Sequence, residues 1–333
     1  MTDIINWGIL GCGDVTEVKS GPSFSKVKNS RLVAVMRRNG EKAKDYAVRH
    51  NVPRWYDNAE KLINDPEVNA VYIATPPGSH AEYAIRAMRA GKVAYVEKPM
   101  ATSYPECRKM IRVSKDTGAP LLVAYYRRML PGFLKIKELI DSGIIGTPLL
   151  FSIRFYIPPY RQDLENLPHW RIIPEISGGG YVFDLGSHQL DLIDYILGPI
   201  DGVASMTLNQ GNLYKPEDFV SAGFSCETGV AGNAVWSFTA PEHMREDSIE
   251  IAGEKGKITF SCFDFTPTEL KSGNETKYYD NPRPQHVQQP LIQAVVDELL
   301  GRGKCPSTGI TAARTSRILD KIVRKSATSN DQI

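Results

Sequence analysis

Four sets of residues have the types and spacing to do chemistry. The first is Gly8-Ile9-Leu10-Gly11-Cys12-Gly13-Asp14-Val15-Thr16, which ends an apolar run and opens a helix-compatible stretch. At such a strand-turn-helix junction Gly11 permits a tight turn and Gly13 lets the backbone approach a pyrophosphate, whose charge is stabilised by amides at the helix start, from Asp14 and Val15 onward. Thr16 stands where the dinucleotide fingerprint has its third glycine or alanine, so the string alone also fits an ordinary glycine turn; its context favours a dinucleotide. The second set is Arg37, Arg38 and Lys42 at the tip of the second strand, where an acid would hold the adenosine ribose hydroxyls. With no acid there, guanidinium forks fit a 2′-phosphate, against the alternative of a solvated basic turn.

The third set comprises Thr75-Pro76-Pro77-Gly78-Ser79-His80 and Glu97-Lys98-Pro99, each after an apolar strand. Such loops line the crevice at the carboxyl edge of a parallel sheet. Ser79 followed by Glu82 spells a capping box, which makes His80 a helix-start or cofactor-edge residue. Lys98 reads either as a solvated lysine or as an ammonium placed to stabilise a developing alkoxide. The fourth set is Asp184, His188 and Asp191, spaced i, i+4 and i+7, which share one face if the segment is helical. An imidazole there is suited to take the proton that a carbinol loses as hydride departs; a helix cap, a satisfied core histidine and a metal ligand set are the competing readings.

These residues need elements to hold them. Compact apolar runs at 4–10, 32–36, 70–74, 93–96 and 121–124 alternate with helix-like stretches at 41–50, 59–63, 79–90 and 104–117, the pattern of a doubly wound parallel sheet. A helix over 132–142 then leads to a strand over 149–156, and a glycine-rich, helix-periodic segment occupies 178–197. Strands near 202–209, 218–226, 229–238, 247–252 and 257–262 are joined by Gly and Asn turns, which predicts successive antiparallel pairing. Helices at 287–301 and 309–324 and a loose polar tail over 326–333 close the chain. The expected fold class is α/β: an N-terminal Rossmann sheet over 1–125 and, over 126–333, an α+β domain with a large, mostly antiparallel open sheet.

Composition narrows the function. Forty Lys and Arg against 38 Asp and Glu give a net charge of +2, which argues against a nucleic-acid or anionic-membrane partner. The five cysteines are scattered and odd in number, fitting neither a disulfide framework nor a zinc site, and suggest a reducing compartment. No stretch has the pattern of a signal peptide or the length of a membrane span, so a cytoplasmic protein is expected.

The glycine loop, Thr75-Pro76-Pro77, Glu97-Lys98-Pro99, Trp170-Arg171 and the run from Gly178-Gly179-Gly180 through Asp184, His188 and Asp191 occur in an order and spacing that resembles the glucose-fructose oxidoreductase, inositol dehydrogenase and rhizopine-catabolism (Gfo/Idh/MocA) family. The resemblance covers nearly the whole chain. It implies an oxidoreductase that moves a hydride between a nicotinamide and a carbinol or carbonyl carbon of a sugar, polyol or related small molecule. It further implies that Lys98 is catalytic, that Asp184 and His188 flank the substrate, and that Thr75, Pro76, Pro77, His80 and Glu97 belong to the cofactor site. Trp170 would wall the nicotinamide region, with Arg171 available for phosphate. Tyr126, in Ala124-Tyr125-Tyr126-Arg127-Arg128, would meet substrate, although a basic linker would look the same. NADP(H) is the expected cofactor, with NAD the second choice and no metal. A sheet with too few helices to cover both faces predicts an exposed β-branched face and a homodimer or homotetramer. The alternatives are a non-catalytic dinucleotide-sensing regulator and an NAD-dependent glycosidase.

Overall fold

The computed structural model describes residues 4–328. Five of the six strands of the first sheet fall on the apolar runs: β1 (Ile5–Leu10), β2 (Ser30–Met36), β4 (Ala70–Ile73), β5 (Val93–Val96) and β6 (Leu121–Val123). The sixth, β3 (Arg54–Tyr56), was hidden because three residues with a polar neighbourhood carry no periodicity. All neighbours run parallel in the order β3-β2-β1-β4-β5-β6. The sheet is buried on both faces, which is why its strands read as unbroken apolar runs and not as alternation. One layer is filled by the aromatic group Trp7, Phe24, Tyr72 and Tyr95.

Two compact units result, one of residues 1–130 and 284–313, the other of 131–283 and 314–333. The sequence boundary near 125 therefore moves to Pro131, and the segment 284–313 returns to the first unit, although it lies inside the expected second domain. Its anchors are polar and specific: Lys26 Nζ meets His286 Nε2 at 2.6 Å, and Gln288 Nε2 donates to Glu97 Oε1 at 2.6 Å. The helix Gln289–Leu299 is thus a first-unit element, and Gly309–Thr328 begins in the first unit and continues in the second. That helix takes in the first residues assigned to a polar tail; the rest of the tail lies outside the described residues.

The second sheet has eight strands: β7 (Pro148–Tyr156), β8 (Ile200–Leu208), β9 (Phe219–Cys226), β10 (Ala231–Ser237), β11 (Glu246–Gly253), β12 (Gly256–Phe260), β13 (Thr268–Ser272) and β14 (Glu275–Tyr279). Their order, β14-β13-β12-β11-β7-β10-β9-β8, keeps the expected successive antiparallel pairs β8-β9, β9-β10 and β11-β12 and departs from that expectation only between β10 and β11, which are not neighbours. β7 lies between β10 and β11, parallel to the former and antiparallel to the latter. The inner face carries the large apolar residues Phe151, Ile153, Val220, Trp236, Ile249 and Ile258. The outer face is not β-branched as expected: Ala204, Gly223, Asn233 and Ser152 make one cross-strand row, with Leu150, Met206 and Leu208 exposed beside it. The buried β-branched residues Ile153, Val220, Ile249 and Ile258 are on the inner face, where packing rewards rigid side chains, while Val235 and Thr259 stay partly exposed on the outer one.

The helix Ser187–Leu197 is buried along most of its length, and its acidic residue Asp194 accepts hydrogen bonds from Arg314 Nε and Nη2 at 2.6–3.0 Å. This pair ties the helix to Gly309–Thr328. Asp194 is almost fully buried while Arg314 keeps about a third of its exposure, so breaking the pair should cost less than a wholly buried one. Asp194→Ala is expected to destabilise the second unit by about 1–3 kcal/mol in urea unfolding followed by circular dichroism; a loss below about 0.5 kcal/mol would mean that desolvation cancels the pair.

Candidate functional site

The glycine loop is shaped by contacts on both sides. Gly11 has φ +90, and a Cβ on it would lie 2.9 Å from the Thr75 backbone nitrogen, so only glycine fits between the two loops. Its amide and that of Cys12 donate to Met36 O at 2.9 and 3.2 Å, fixing the turn to the end of β2. At Gly13 a Cβ would meet nothing closer than Gly11 O at 3.9 Å, which leaves the cradle open for a pyrophosphate. Thr16 is buried, and its hydroxyl donates to Gly13 O at 2.7 Å. The residue that weakened the sequence fingerprint therefore closes the same turn by a hydrogen bond. Asp14 is exposed and Val15 half-buried at the start of the short helix Asp14–Val18. Arg37 reaches across from β2 to donate to Cys12 O at 3.4 Å; Arg38 and Lys42 are exposed, with Lys42 N capped by Asn39 Oδ1 at 3.0 Å. The residues present fit a nicotinamide dinucleotide.

After β4 the chain differs from the expected capping box. A single 3₁₀ turn, Pro77–Ser79, precedes the helix His80–Arg89, and Ser79 Oγ bonds Thr75 Oγ1 at 2.8 Å instead of a helix amide. Glu82 pairs with Arg86 at 2.6 Å. Thr75 is half-buried, Pro76 exposed and Pro77 buried. His80 is wholly buried, with Nδ1 at 3.0 Å from Pro99 O and Nε2 at 2.7 Å from Thr75 O. Burial lowers its pKa below the ordinary imidazole value. Its ring clamps the Thr75 loop to the Lys98 loop; it does not border solvent. Lys98-Pro99 is a cis peptide. Glu97 also points inward: its carboxylate accepts from the Tyr72 hydroxyl and from Gln288, and from Lys98 N at 3.1 Å. Lys98 is half-buried at the carboxyl end of β5.

Tyr126 is buried, and Arg127 Nη1 donates to its hydroxyl at 2.6 Å. Arg128 is buried as well, donating to Pro306 O at 2.6 Å and Thr311 Oγ1 at 2.9 Å. These arginines are interior anchors of the first unit, which removes the basic-linker reading.

In the second unit Trp170 and Arg171 form a 3₁₀ turn, Trp170–Ile172, with the guanidinium 4.5 Å from the indole centroid. Arg171 Nε donates to Asp184 Oδ2 at 2.7 Å, so that the arginine expected to serve a phosphate is joined to a catalytic candidate. Asp184 sits in a π-helical turn, Val182–Gly186, that runs directly into Ser187–Leu197. Such turns re-aim side chains relative to a regular helix and recur at functional sites. His188 is nearly buried, edge-on to the Phe263 ring at 5.8 Å. Asp191 is buried and accepts from Thr315 Oγ1 at 3.4 Å. Among the described residues no group of three or more His, Cys, Asp and Glu is arranged to hold a metal.

Sequence reasoning missed Phe263 and the loop bearing Glu217. Phe263 had no periodic signal, and its place follows from Asp247, whose carboxylate accepts from the amides of Cys262, Phe263 and Asp264. Gly180, at φ +65, lets Pro216 pack within 2.6 Å of where a Cβ would stand, bringing the Glu217 loop onto the triple glycine.

A six-stranded parallel sheet with an open glycine cradle in one unit and, in the other, a mostly antiparallel sheet with an acid and a histidine in one helical segment are the features of a nicotinamide-dependent oxidoreductase. The model of an oxidoreductase family with an NAD-binding Rossmann fold matches residues 5–125, and that of the GFO/IDH/MocA C-terminal domain matches residues 133–259. The chain belongs to the GFO/IDH/MocA family. It is 43% identical to oxidoreductase P35 of Formosa agariphila over 324 residues, 96% of this chain and 98% of that one. It is 25% identical to the 1,5-anhydro-D-fructose reductase of Ensifer adhaerens over 76% of this chain and 74% of that one. The solved aldose-aldose oxidoreductase of Caulobacter crescentus has the same fold, with a TM-score of 0.85 at 22% identity and 98% coverage of each chain. No helix among the described residues is long and apolar enough to cross a membrane.

Burial pushes the Glu217 carboxyl from 4.5 up to about 7, and its Oε1 has no partner. An acid whose folded pKa is raised binds its proton more tightly in the native state, so stability is full below the unfolded pKa and falls as pH rises through the window from 4.5 to about 7. Glu217→Gln should flatten that slope in melting temperatures measured across this range; an unchanged slope would place its origin elsewhere.

Proposed function

We propose that this chain is an NADP(H)-preferring oxidoreductase acting on a carbinol or carbonyl carbon of a sugar, polyol or related small molecule. The observation that carries the reading is the Asp184 arrangement: a carboxylate held by Arg171 at 2.7 Å, on a π-helical turn that leads directly to His188. The 1,5-anhydro-D-fructose reductase and aldose-aldose oxidoreductase names of its relatives support a sugar-like substrate. A nicotinamide dinucleotide held at the Gly11 and Gly13 turn would supply or accept the hydride. Lys98 holds the reacting oxygen through its ammonium and stabilises negative charge as it develops there. His188 takes the hydroxyl proton in oxidation and returns it in reduction, and Asp184 orients the imidazole or a substrate hydroxyl. The outer sheet face with Leu150, Met206 and Leu208 is read as the surface through which two or four copies pair.

NADP(H) preference rests on Arg37, fixed to the glycine loop, and on Arg38 beside it. An Arg37→Ala, Arg38→Ala double variant is expected to lose NADP affinity by at least about tenfold with NAD affinity little changed, as read by nicotinamide fluorescence titration. Equal loss for both cofactors would remove the 2′-phosphate assignment.

The proton-transfer role is separable from binding. His188→Ala should lower kcat by about two to four orders of magnitude while NADP affinity stays within a few fold, and Lys98→Ala should be at least as damaging. Near-normal turnover at 340 nm by folded His188→Ala would overturn the mechanism.

A further inference from the structure

The Arg171–Asp184 pair joins two turns that the backbone between them does not hold at a fixed separation. Trp170–Ile172 carries the arginine and Val182–Gly186 the acid, and between them lie Gly178-Gly179-Gly180, with Gly178 at φ +95 and Gly180 at φ +65. Glycine has the least restricted backbone of any residue, so a run of three passes little positional control from one turn to the next. One side chain outside the run bridges the two turns. Asp163, on the short helix Arg161–Leu164, is 1% exposed and accepts two hydrogen bonds. His169 Nε2 donates to its Oδ1 at 2.7 Å, and the Tyr181 hydroxyl donates to its Oδ2 at 2.8 Å. His169 immediately precedes Trp170, and Tyr181 immediately precedes Val182. The links close a circuit that runs from Asp163 to His169, along the chain to Arg171, across to Asp184 at 2.7 Å, back along the chain to Tyr181, and again to Asp163.

The members of this circuit have little slack. Tyr181 is wholly buried, and its ring packs against those of Tyr160, Tyr214 and Phe238 at centroid distances of 5.2–5.6 Å. Burial and the adjoining Asp163 carboxylate push its phenol well above the ordinary pKa, which keeps the hydroxyl a donor. Because a carboxylate only accepts, His169 Nε2 carries the hydrogen of their bond, and the buried Nδ1 has no hydrogen-bond partner among the described residues. A buried carboxylate beside an unmatched ring nitrogen is a costly way to join two loops, and apolar side chains would join them without either penalty. We propose that Asp163 is a positioning residue for the proton transfer: through His169 and Tyr181 it sets Arg171 and Asp184 against each other and so fixes where the Asp184 carboxylate lies ahead of His188. The proposal rests on the reading of Asp184 and His188 as the groups that flank the substrate. Without Asp163 the ion pair can persist while the two turns shift together or apart, and a displacement of about 1 Å near the reacting atoms costs up to about 100-fold in rate.

Two measurements on the full chain test this. Hydrogen exchange read by mass spectrometry needs no substrate. Asp163→Asn keeps the shape of the side chain and offers one acceptor oxygen in place of two. It should speed exchange by at least about tenfold in peptides covering both 169–178 and 181–187, with β8, β9 and β10 as protected as in the unsubstituted chain. Tyr181→Phe, which removes one donor and keeps the ring, should act in the same direction more weakly, and it decides the matter if Asp163→Asn does not fold. Turnover is read at 340 nm with 1,5-anhydro-D-fructose and NADPH, or D-glucose and NADP, as probes. Asp163→Asn should lower kcat roughly 10- to 100-fold, with KM and NADP affinity within a few fold. In an Asp184→Asn background it should lower kcat further by less than about twofold, because nothing is left for it to position. An unchanged kcat, independent losses that multiply in the double variant, exchange unaltered in either segment, or faster exchange spread over the whole second unit overturns the proposal. If the unsubstituted chain turns over neither probe, the oxidoreductase reading fails, and the link from Asp163 to Asp184 stands or falls on the exchange alone.

Discussion

A carboxylate buried at the end of a parallel strand has to be satisfied where it lies, and much of the first unit is arranged around that need. Glu97 is 7% exposed, and its oxygens take hydrogen bonds from the Tyr72 hydroxyl, the Gln288 amide and the Lys98 backbone amide. An unpaired carboxylate there would cost several kcal/mol, so each donor is effectively obligatory. Tyr72 comes from β4, next to β5 in the sheet. Gln288 comes from nearly two hundred residues further along the chain, so the requirement draws segment 284–313 into this unit. Burial beside this carboxylate also raises the Tyr72 pKa well above that of an ordinary phenol, keeping its hydroxyl a donor. The outcome is a fixed peptide at Glu97-Lys98, from which the lysine leaves the sheet, while His80 pins the neighbouring loop through Pro99 O and Thr75 O.

The second unit solves a similar problem with different parts. Asp184, Asp191 and Asp194 are all buried in one helical segment, and each has a partner brought from elsewhere in the sequence: Arg171, Thr315 and Arg314. Three acids on one stretch would repel if they shared an environment. Distributing them to separate partners leaves the Asp184 end shaped for the candidate chemistry and the Asp191 and Asp194 end structural. The π-helical turn is what separates the two ends. It places Asp184 off the regular helical path that the i, i+4, i+7 spacing implies, and it begins just after a glycine run that admits Pro216 against its backbone.

The two halves of the chain were not equally readable. Strands buried on both faces write themselves as apolar runs, which is why β1, β2, β4, β5 and β6 were legible, and a glycine cradle is legible because only glycine tolerates φ +90 beside Thr75. Lys98, Asp184 and His188 could be singled out from residue type, position and family resemblance. β3, β13 and β14 could not, being three to five residues long with little or no hydrophobic contrast.

By itself the sequence determined the local outcomes: which segments extend, where the glycine turn must fall, which cations stand at the tip of β2, and which acid and imidazole share one helical segment. These depend on neighbours within a few residues, so composition and spacing carry them. Tertiary structure alone decided the pairings: β7 inserted between β10 and β11, Arg171 joined to Asp184 instead of remaining available for a phosphate, Arg128 anchored inside on Pro306 and Thr311, Gln288 returned to Glu97, and Phe263 set against His188. Each satisfies a buried charge or an exposed apolar face with a group distant in the chain. Many distant groups are chemically able to do so, and only the packed fold selects one.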